Sequence, residues 1–280
     1  MNRAARTVRP LTPAEVATLV DWAAGEGWTP GLADAAAFHA ADPAGFIGAF
    51  VDGEMAAGIA AVSYGAEFGF IGLYICRPDL RGRGHGRAVW DAGMARLAGR
   101  TIGLDGVPEQ QANYRSMGFV PAYRTFRFGG RLETAIGIPA SIRPVTSDML
   151  PATATFDRRF FPAARPDFLR RWVGPPHVAL AEIDDGTLRG FGVARRCRED
   201  FKVGPLFATD PDTATAVLAA LSEACGGDVH IDVPETNRAF GDFLLASGMS
   251  KGFETMRMYR GAAPQTKHAG IFGVTTLELG

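Results

Sequence analysis

The sequence predicts an α/β protein built as two copies of one unit. Three observations carry that expectation. Short apolar runs of strand character alternate with stretches of helical spacing, the order of these runs repeats at the scale of half the chain, and one run leads through a glycine-arginine turn into a helical pattern.

That turn fixes the first elements. Phe68 to Cys76 is nearly all apolar, with β-favouring Phe, Ile and Tyr, and reads as a buried strand. Beyond Arg81-Gly82-Arg83-Gly84-His85-Gly86, the residues Val89/Trp90, Gly93/Met94 and Leu97 recur at helical spacing, with Gly99 as a stop. Residues 101–105 read as the next strand. The repeat then orders the rest. Thr7 to Thr12 (TVRPLT) returns as Ser141 to Thr146 (SIRPVT), and the strand-like 46–53 returns as 178–186. The following runs, 56–63 and 68–76, correspond to 188–195 and 201–208. Ile102 to Glu109 matches Val229 to Glu235, each leading into a helix that ends at Gly118 or Gly248. The expected units are residues 1–132 and 133–280, with Gly129-Gly130 at the seam. His268 to Gly280 reads as a further strand, packing Ile271, Val274 and Leu277, that completes the second sheet or touches the first unit.

A glycine-rich link from a strand into a helix N-terminus is an anion site. Glycine lets the backbone approach closely, and free N–H groups and the helix dipole face the anion. Arg81, Arg83 and Arg87 add forked donors suited to phosphate, and His85 points from the same loop. The expected guest is a cofactor pyrophosphate. A Walker A loop is excluded, since no Gly-Lys is present there. A dinucleotide fingerprint matches at Gly82 and Gly84, with Asp105 about where a ribose-binding acid stands. Against it, Arg87 takes the third glycine position, and Pro78-Asp79-Leu80 separates strand from glycines.

The third reading is coenzyme A. The stretch Ile71 to Ala88 resembles the signature of the GNAT superfamily of N-acetyltransferases: a strand, a short proline-containing link, then [QR]-x-x-G-x-[GA] opening a helix. Arg81, Gly84 and Gly86 fill its fixed positions, and Asn113 to Phe119 resembles the family's helix ending in Tyr-x-x-x-Gly-Phe. The resemblance implies two tandem GNAT-like domains, each a mixed, mostly antiparallel twisted sheet flanked by helices, and acetyl-CoA as cosubstrate. It implies that the backbone of Tyr74, Ile75 and Cys76 meets the pantetheine arm. The pyrophosphate would sit on the N–H groups of Gly82, Arg83, Gly84, His85, Gly86 and Arg87. Tyr114 is implied as the general acid that protonates the departing thiolate. The family's asparagine upstream of that tyrosine is absent, with Val107-Pro108 in its place, and its strand glutamate falls at about Gly72. Glu67, Asp105, Glu109 or a water chain remain as base candidates. Asp232 stands at the position matching Asp105 in the second copy, which favours a structural role for both. A covalent route through Cys76 is the chemical alternative to direct transfer.

The second copy lacks these features. After 201–208 comes Thr209-Asp210-Pro211-Asp212, whose carboxylates would repel a pyrophosphate, and Leu244 stands where the first copy has Tyr114. It is expected to be a divergent, cofactor-free domain whose wall helps to form the acceptor site. The bulk properties set the rest. A hydrophobic fraction of 47% and a charged fraction of 21% suit a globular core, and a net charge of −1 gives no expectation of nucleic-acid or membrane binding. The five histidines form no metal motif, and Cys76, Cys197 and Cys225 are widely spaced. A primary amine on a small molecule or amino-acid derivative is the expected acceptor, in a reducing cytoplasm. A non-catalytic acyl-CoA sensor and a nucleotide-dependent oxidoreductase are the alternatives.

Overall fold

A computed structural model describes residues 6–133 and 136–280; of the first ten residues, expected to carry no signal-peptide core, 1–5 lie outside the described residues. The first half runs β1 (Arg6–Pro10), α1 (Pro13–Gly25), α2 (Asp34–Ala41), β2 (Phe46–Val51), β3 (Glu54–Tyr64), β4 (Phe68–Cys76), α3 (His85–Arg96), β5 (Thr101–Gly106), α4 (Gln111–Ser116) and β6 (Val120–Gly130). The second half repeats that order as β7 (Ile142–Pro144), α5 (Leu150–Asp157), α6 (Pro166–Trp172), β8 (Val178–Asp184), β9 (Thr187–Arg196), β10 (Phe201–Ala208), α7 (Pro211–Cys225), β11 (Val229–Pro234), α8 (Arg238–Ala246) and β12 (Ser250–Arg260), then adds β13 (Ile271–Gly273).

Local chemistry explains these elements. Thr12 caps α1, its hydroxyl accepting from the Glu15 N–H while the Glu15 carboxylate accepts from the Thr12 N–H, a reciprocal box that satisfies two orphan donors. Val16, Leu19, Val20 and Ala23 then fall on one buried stripe. Gly58 of β3 leaves the space that Leu19 fills. On β4, Phe68 and Phe70 join the core beneath α1 and α2, whereas Ile71 joins the core beneath α3, as strand alternation requires.

The thirteen strands among the described residues form one sheet in the order β1-β2-β3-β4-β5-β12-β6-β11-β10-β9-β8-β7, with β13 beside β10. The pairs β4·β5 and β10·β11 are parallel, and the other pairings are antiparallel. The two halves trade their final strands. Strand β12 pairs with β5 of the first half, and β6 pairs with β11 of the second. Where β6 and β12 meet, Thr125 lies opposite Thr255. Reciprocal buried ion pairs hold the trade. Arg257 on β12 grips Asp105 on β5 through two bonds of 2.8 and 2.7 Å, and Arg127 on β6 grips Asp232 on β11 at 2.8 and 3.1 Å. Burial raises both carboxyls. At Asp105 burial outweighs Arg257 and leaves the carboxyl above its ordinary value, whereas Arg127 and Lys202 together pull Asp232 well below it.

The segment after residue 267 departs from expectation. Only Ile271–Gly273 is strand, paired with Leu206 and Phe207 of β10, so it joins the second half's part of the single sheet rather than a second sheet. Beyond it the chain leaves strand geometry, yet Val274, Thr275, Thr276, Glu278, Leu279 and Gly280 are buried. The cause is a pair of glycines with no side chain to exclude it. A Cβ on Gly204 of β10 would strike the Thr275 carbonyl, and one on Gly72 of β4 would strike the Glu278 carbonyl. The segment therefore runs from one half to the other. The Tyr64 hydroxyl donates to the Leu279 carbonyl at 3.1 Å, and Arg165 donates to that of Gly280 at 3.4 Å.

Candidate active site

Strands β4 and β5 pair from Phe68 to Ile71 and then part. At the parting, Leu73 takes a φ of 45° and the register against β3 slips between Gly58 and Ala60, so a bulge turns the end of β4 away from β5. Tyr74, Ile75 and Cys76 follow, without a β5 partner among the described residues. All three line a cleft of about 810 Å³. Tyr74 packs on Trp90 of α3 at 5.4 Å, Ile75 is buried, and Cys76 is half-buried with a thiol pushed up by burial. A raised thiol works against its use as a nucleophile.

The loop that follows bends as an anion site must. Gly82 and Gly84 adopt φ values of 76° and 82°, and Gly84 opens α3 with no side-chain cap. Gly86 lies against the Tyr74 hydroxyl, and a Cβ there would come within 3.1 Å of it. His85 is half-buried and held below its ordinary value by burial, with Arg6 and Arg83 adding to the effect, so it is neutral near pH 7. The arginines do not act alike. Arg81 ties the loop down, donating to the Cys76 carbonyl at 3.1 Å and to Glu26 at 2.6 Å. Arg87 bonds Asp91 one helical turn on, at 2.7 Å, and Arg83 is exposed.

Tyr114, on the short α4, lines this cleft and also an adjoining inner cavity of about 50 Å³ that shares several of its residues. Its ring stacks on Trp90 at 5.8 Å and fits against β5 because Gly106 offers no side chain. Burial pushes its phenol up to about 12, so it keeps its proton through the neutral range. A neutral phenol at this point can donate to a developing anion. Gln110 and Asn113 reach the cleft near the place of the missing asparagine.

The second half is built the same way and is closed. Strands β10 and β11 pair from Phe201 to Val203 and part, but β13 enters the gap, and the Val274 N–H donates to the Asp232 carbonyl at 2.9 Å. The chain's own backbone fills the gap that stays open in the first half. At the start of α7, Asp210 caps the helix by accepting from the Thr213 N–H at 2.9 Å, so this N-terminus supplies its own anion.

The base candidates separate. Glu67 is exposed in the turn before β4, at the far end from the bulge, and Glu109 is exposed on the cleft's rim. Asp105 lines the cavity with its carboxylate fully buried and engaged by Arg257. Sequence reasoning missed Trp28, Phe253, Thr255, Leu277 and Glu278, which also line the inner cavity. The repeat aligns 249–258 with 119–128, which marks β12 as a strand but not as a neighbour of β5.

A fold of this topology, with one open and one closed splayed strand pair, is that of a tandem acyltransferase, and the comparisons agree. Residues 14–120 match the model of the acetyltransferase (GNAT) family, and residues 153–273 match an acetyltransferase (GNAT) domain. The chain is 32% identical over 279 residues to holothin acyltransferase of Pseudoalteromonas sp. (strain SANK 73390), covering 98% of this chain and 94% of that one. The chain belongs to the GNAT acyltransferase family, in its tandem form. Among solved structures, a putative acetyltransferase from Pyrococcus horikoshii superposes with a TM-score of 0.83 at 21% identity, covering 100% of this chain and 98% of that one. A tandem GNAT protein from the clavulanic acid biosynthesis pathway superposes with a TM-score of 0.65 at 15% identity, over 93% of this chain and 100% of that one. No helix among the described residues is long and apolar enough to cross a membrane.

Proposed function

We propose that the protein transfers an acetyl group from acetyl-CoA directly to a primary amine on a small molecule or amino-acid derivative, in the cleft of its first half. The observation that carries this reading is the contrast between the two halves. The gap between β4 and β5 opens onto a cleft and ends at an uncapped helix N-terminus, while the equivalent gap between β10 and β11 is filled by β13 and its helix is capped by Asp210.

In this reading the backbone of Tyr74, Ile75 and Cys76 bonds the pantetheine arm, and the N–H groups from Gly82 to Arg87 hold the pyrophosphate. A β4 N–H facing the thioester oxygen stabilises the charge that gathers there as the amine attacks. Tyr114 protonates the departing thiolate. Holothin, the acceptor named for the 32% identical relative, is the first acceptor to test. The free thiols of Cys76, Cys197 and Cys225 suit a reducing compartment such as the cytoplasm. The test is calorimetric titration with acetyl-CoA, with NAD and NADPH in parallel, followed by transfer to holothin and to a panel of primary amines. Binding of acetyl-CoA alone, with acylated product, is expected. Binding of a nicotinamide nucleotide in its place overturns the proposal.

A further inference from the structure

The small cavity has two acidic residues in its wall, Asp105 and Glu278. Asp105 is engaged, since both its oxygens accept from Arg257. Glu278 is held differently. The Thr276 hydroxyl donates to Oε2, and among the described residues no donor bonds Oε1. Its backbone is fixed around it. The Glu278 N–H donates to the Thr276 hydroxyl at 3.2 Å, the Gly280 N–H to the Thr276 carbonyl at 3.1 Å, and Tyr64 anchors Leu279. Gly72, just before the β4 bulge, is bare, and the Glu278 backbone occupies the space its side chain would need. Glu278 and Tyr114 thus border the same 50 Å³ cavity, each brought there by a different half of the chain.

We infer that Glu278 is the general base of the acyl transfer, taking the proton of the acceptor amine on Oε1. This rests on the acyltransferase reading above. The nitrogen lone pair forms the C–N bond while the carbonyl π pair moves onto oxygen; its return expels the sulfur. The nitrogen's proton passes to Glu278, the sulfur takes the proton of Tyr114, and both side chains reset through water. Lys202 on β10, Arg195 on β9, Asp34 at the start of α2 and Arg127 on β6 all bear on the carboxyl. Burial raises it, and Lys202 and Arg195 restrain the rise. A carboxylate raised toward neutrality is better matched to an amine proton than an exposed one. It is also active only when ionised, so kcat falls as pH drops through its raised value.

The test uses the full chain with acetyl-CoA as donor and two acceptors, holothin and hydrazine. In Glu278→Gln, kcat at saturating acceptor is expected to fall about 10²- to 10⁴-fold. The acetyl-CoA Kd measured by calorimetry and the melting temperature should stay close to wild type. The acid limb of the wild-type kcat profile should vanish in the variant, and Glu278→Asp should restore part of the rate. Unchanged kcat in Glu278→Gln, or the same acid limb in both proteins, overturns the assignment. So does a wild-type kcat profile with no acid limb, a measurement that needs no variant. A wild type that binds acetyl-CoA yet loses only acceptor KM on substitution assigns Glu278 to binding and overturns its role as base. A wild type that binds no acetyl-CoA, or acylates neither amine, overturns this inference together with the proposed function.

Discussion

Gly84→Asp copies into the first half the device that closes the second. Gly84 opens α3 as Asp210 opens α7, but without a side chain. With φ at 82°, a side chain there costs about 1 kcal/mol of strain, which Gly84→Ala reports by itself. The carboxylate adds repulsion. One unit charge about 5 Å from a phosphate charge, at an effective dielectric of ~20, is repelled by about 3 kcal/mol. Gly84 is exposed, and an added Cβ lies 3.7 Å from Arg6 Nη1, so solvent and Arg6 cancel part of this. A net penalty of about 1.5–3 kcal/mol is a ten- to hundredfold loss of affinity. Calorimetry with acetyl-CoA reads that loss, and acetyl-pantetheine, which has no pyrophosphate, serves as the internal control. Gly84→Asp should weaken acetyl-CoA and spare acetyl-pantetheine, and Gly84→Ala should spare both. Equal affinities for acetyl-CoA in wild type and Gly84→Asp, or equal losses for the two ligands, would refute the placement of the pyrophosphate on this loop.

Other outcomes follow from the same geometry. Tyr114→Phe should lower kcat about 10²-fold or more with little change in acetyl-CoA affinity; because burial lifts the phenol to about 12, this group gives kcat no basic limb below about pH 11. Asp105→Asn leaves the Arg257 charge buried beside a neutral partner, at a cost of about 3–5 kcal/mol in urea unfolding, and the double variant with Arg257→Met should recover most of it. A purely additive double variant would show the pair to be uncoupled. Asp210→Ala should cost about 1 kcal/mol of stability through the lost cap and leave the acetyl-CoA Kd unchanged, since that half is closed.

Much of this was legible in the residues. The apolar run 68–76 is the whole of β4, the glycines at 82 and 84 take the positive φ their positions require, and each strand of the repeat is present in order. The exchange of final strands was not legible, and the reason is physical. Thr125-Phe126-Arg127 and Thr255-Met256-Arg257 carry the same pattern, so either strand offers either half an arginine for its aspartate. Pattern fixes which face a strand buries, not which of two similar edges it joins. The segment after 267 failed for a related reason. Its alternation suggested one continuous strand, whereas its path is set by Gly72 and Gly204, whose missing side chains mean nothing until the fold brings them within reach. Glu278 was invisible for the same cause, more than 200 residues from the strand it faces.

The traded strands bear on how the chain is made. Strand β5 emerges from the ribosome well before β12, the strand that must cover its edge, and β6 waits a shorter time for β11. At ~5–20 residues per second, β5's delay is on the order of ten seconds or more. Through that interval the nascent first half holds Asp105 without its arginine and a sheet edge without its neighbour. Synthesis therefore finishes the first half last: β5 gains its neighbour, Asp105 its arginine and the small cavity its Glu278 wall only when the second half docks.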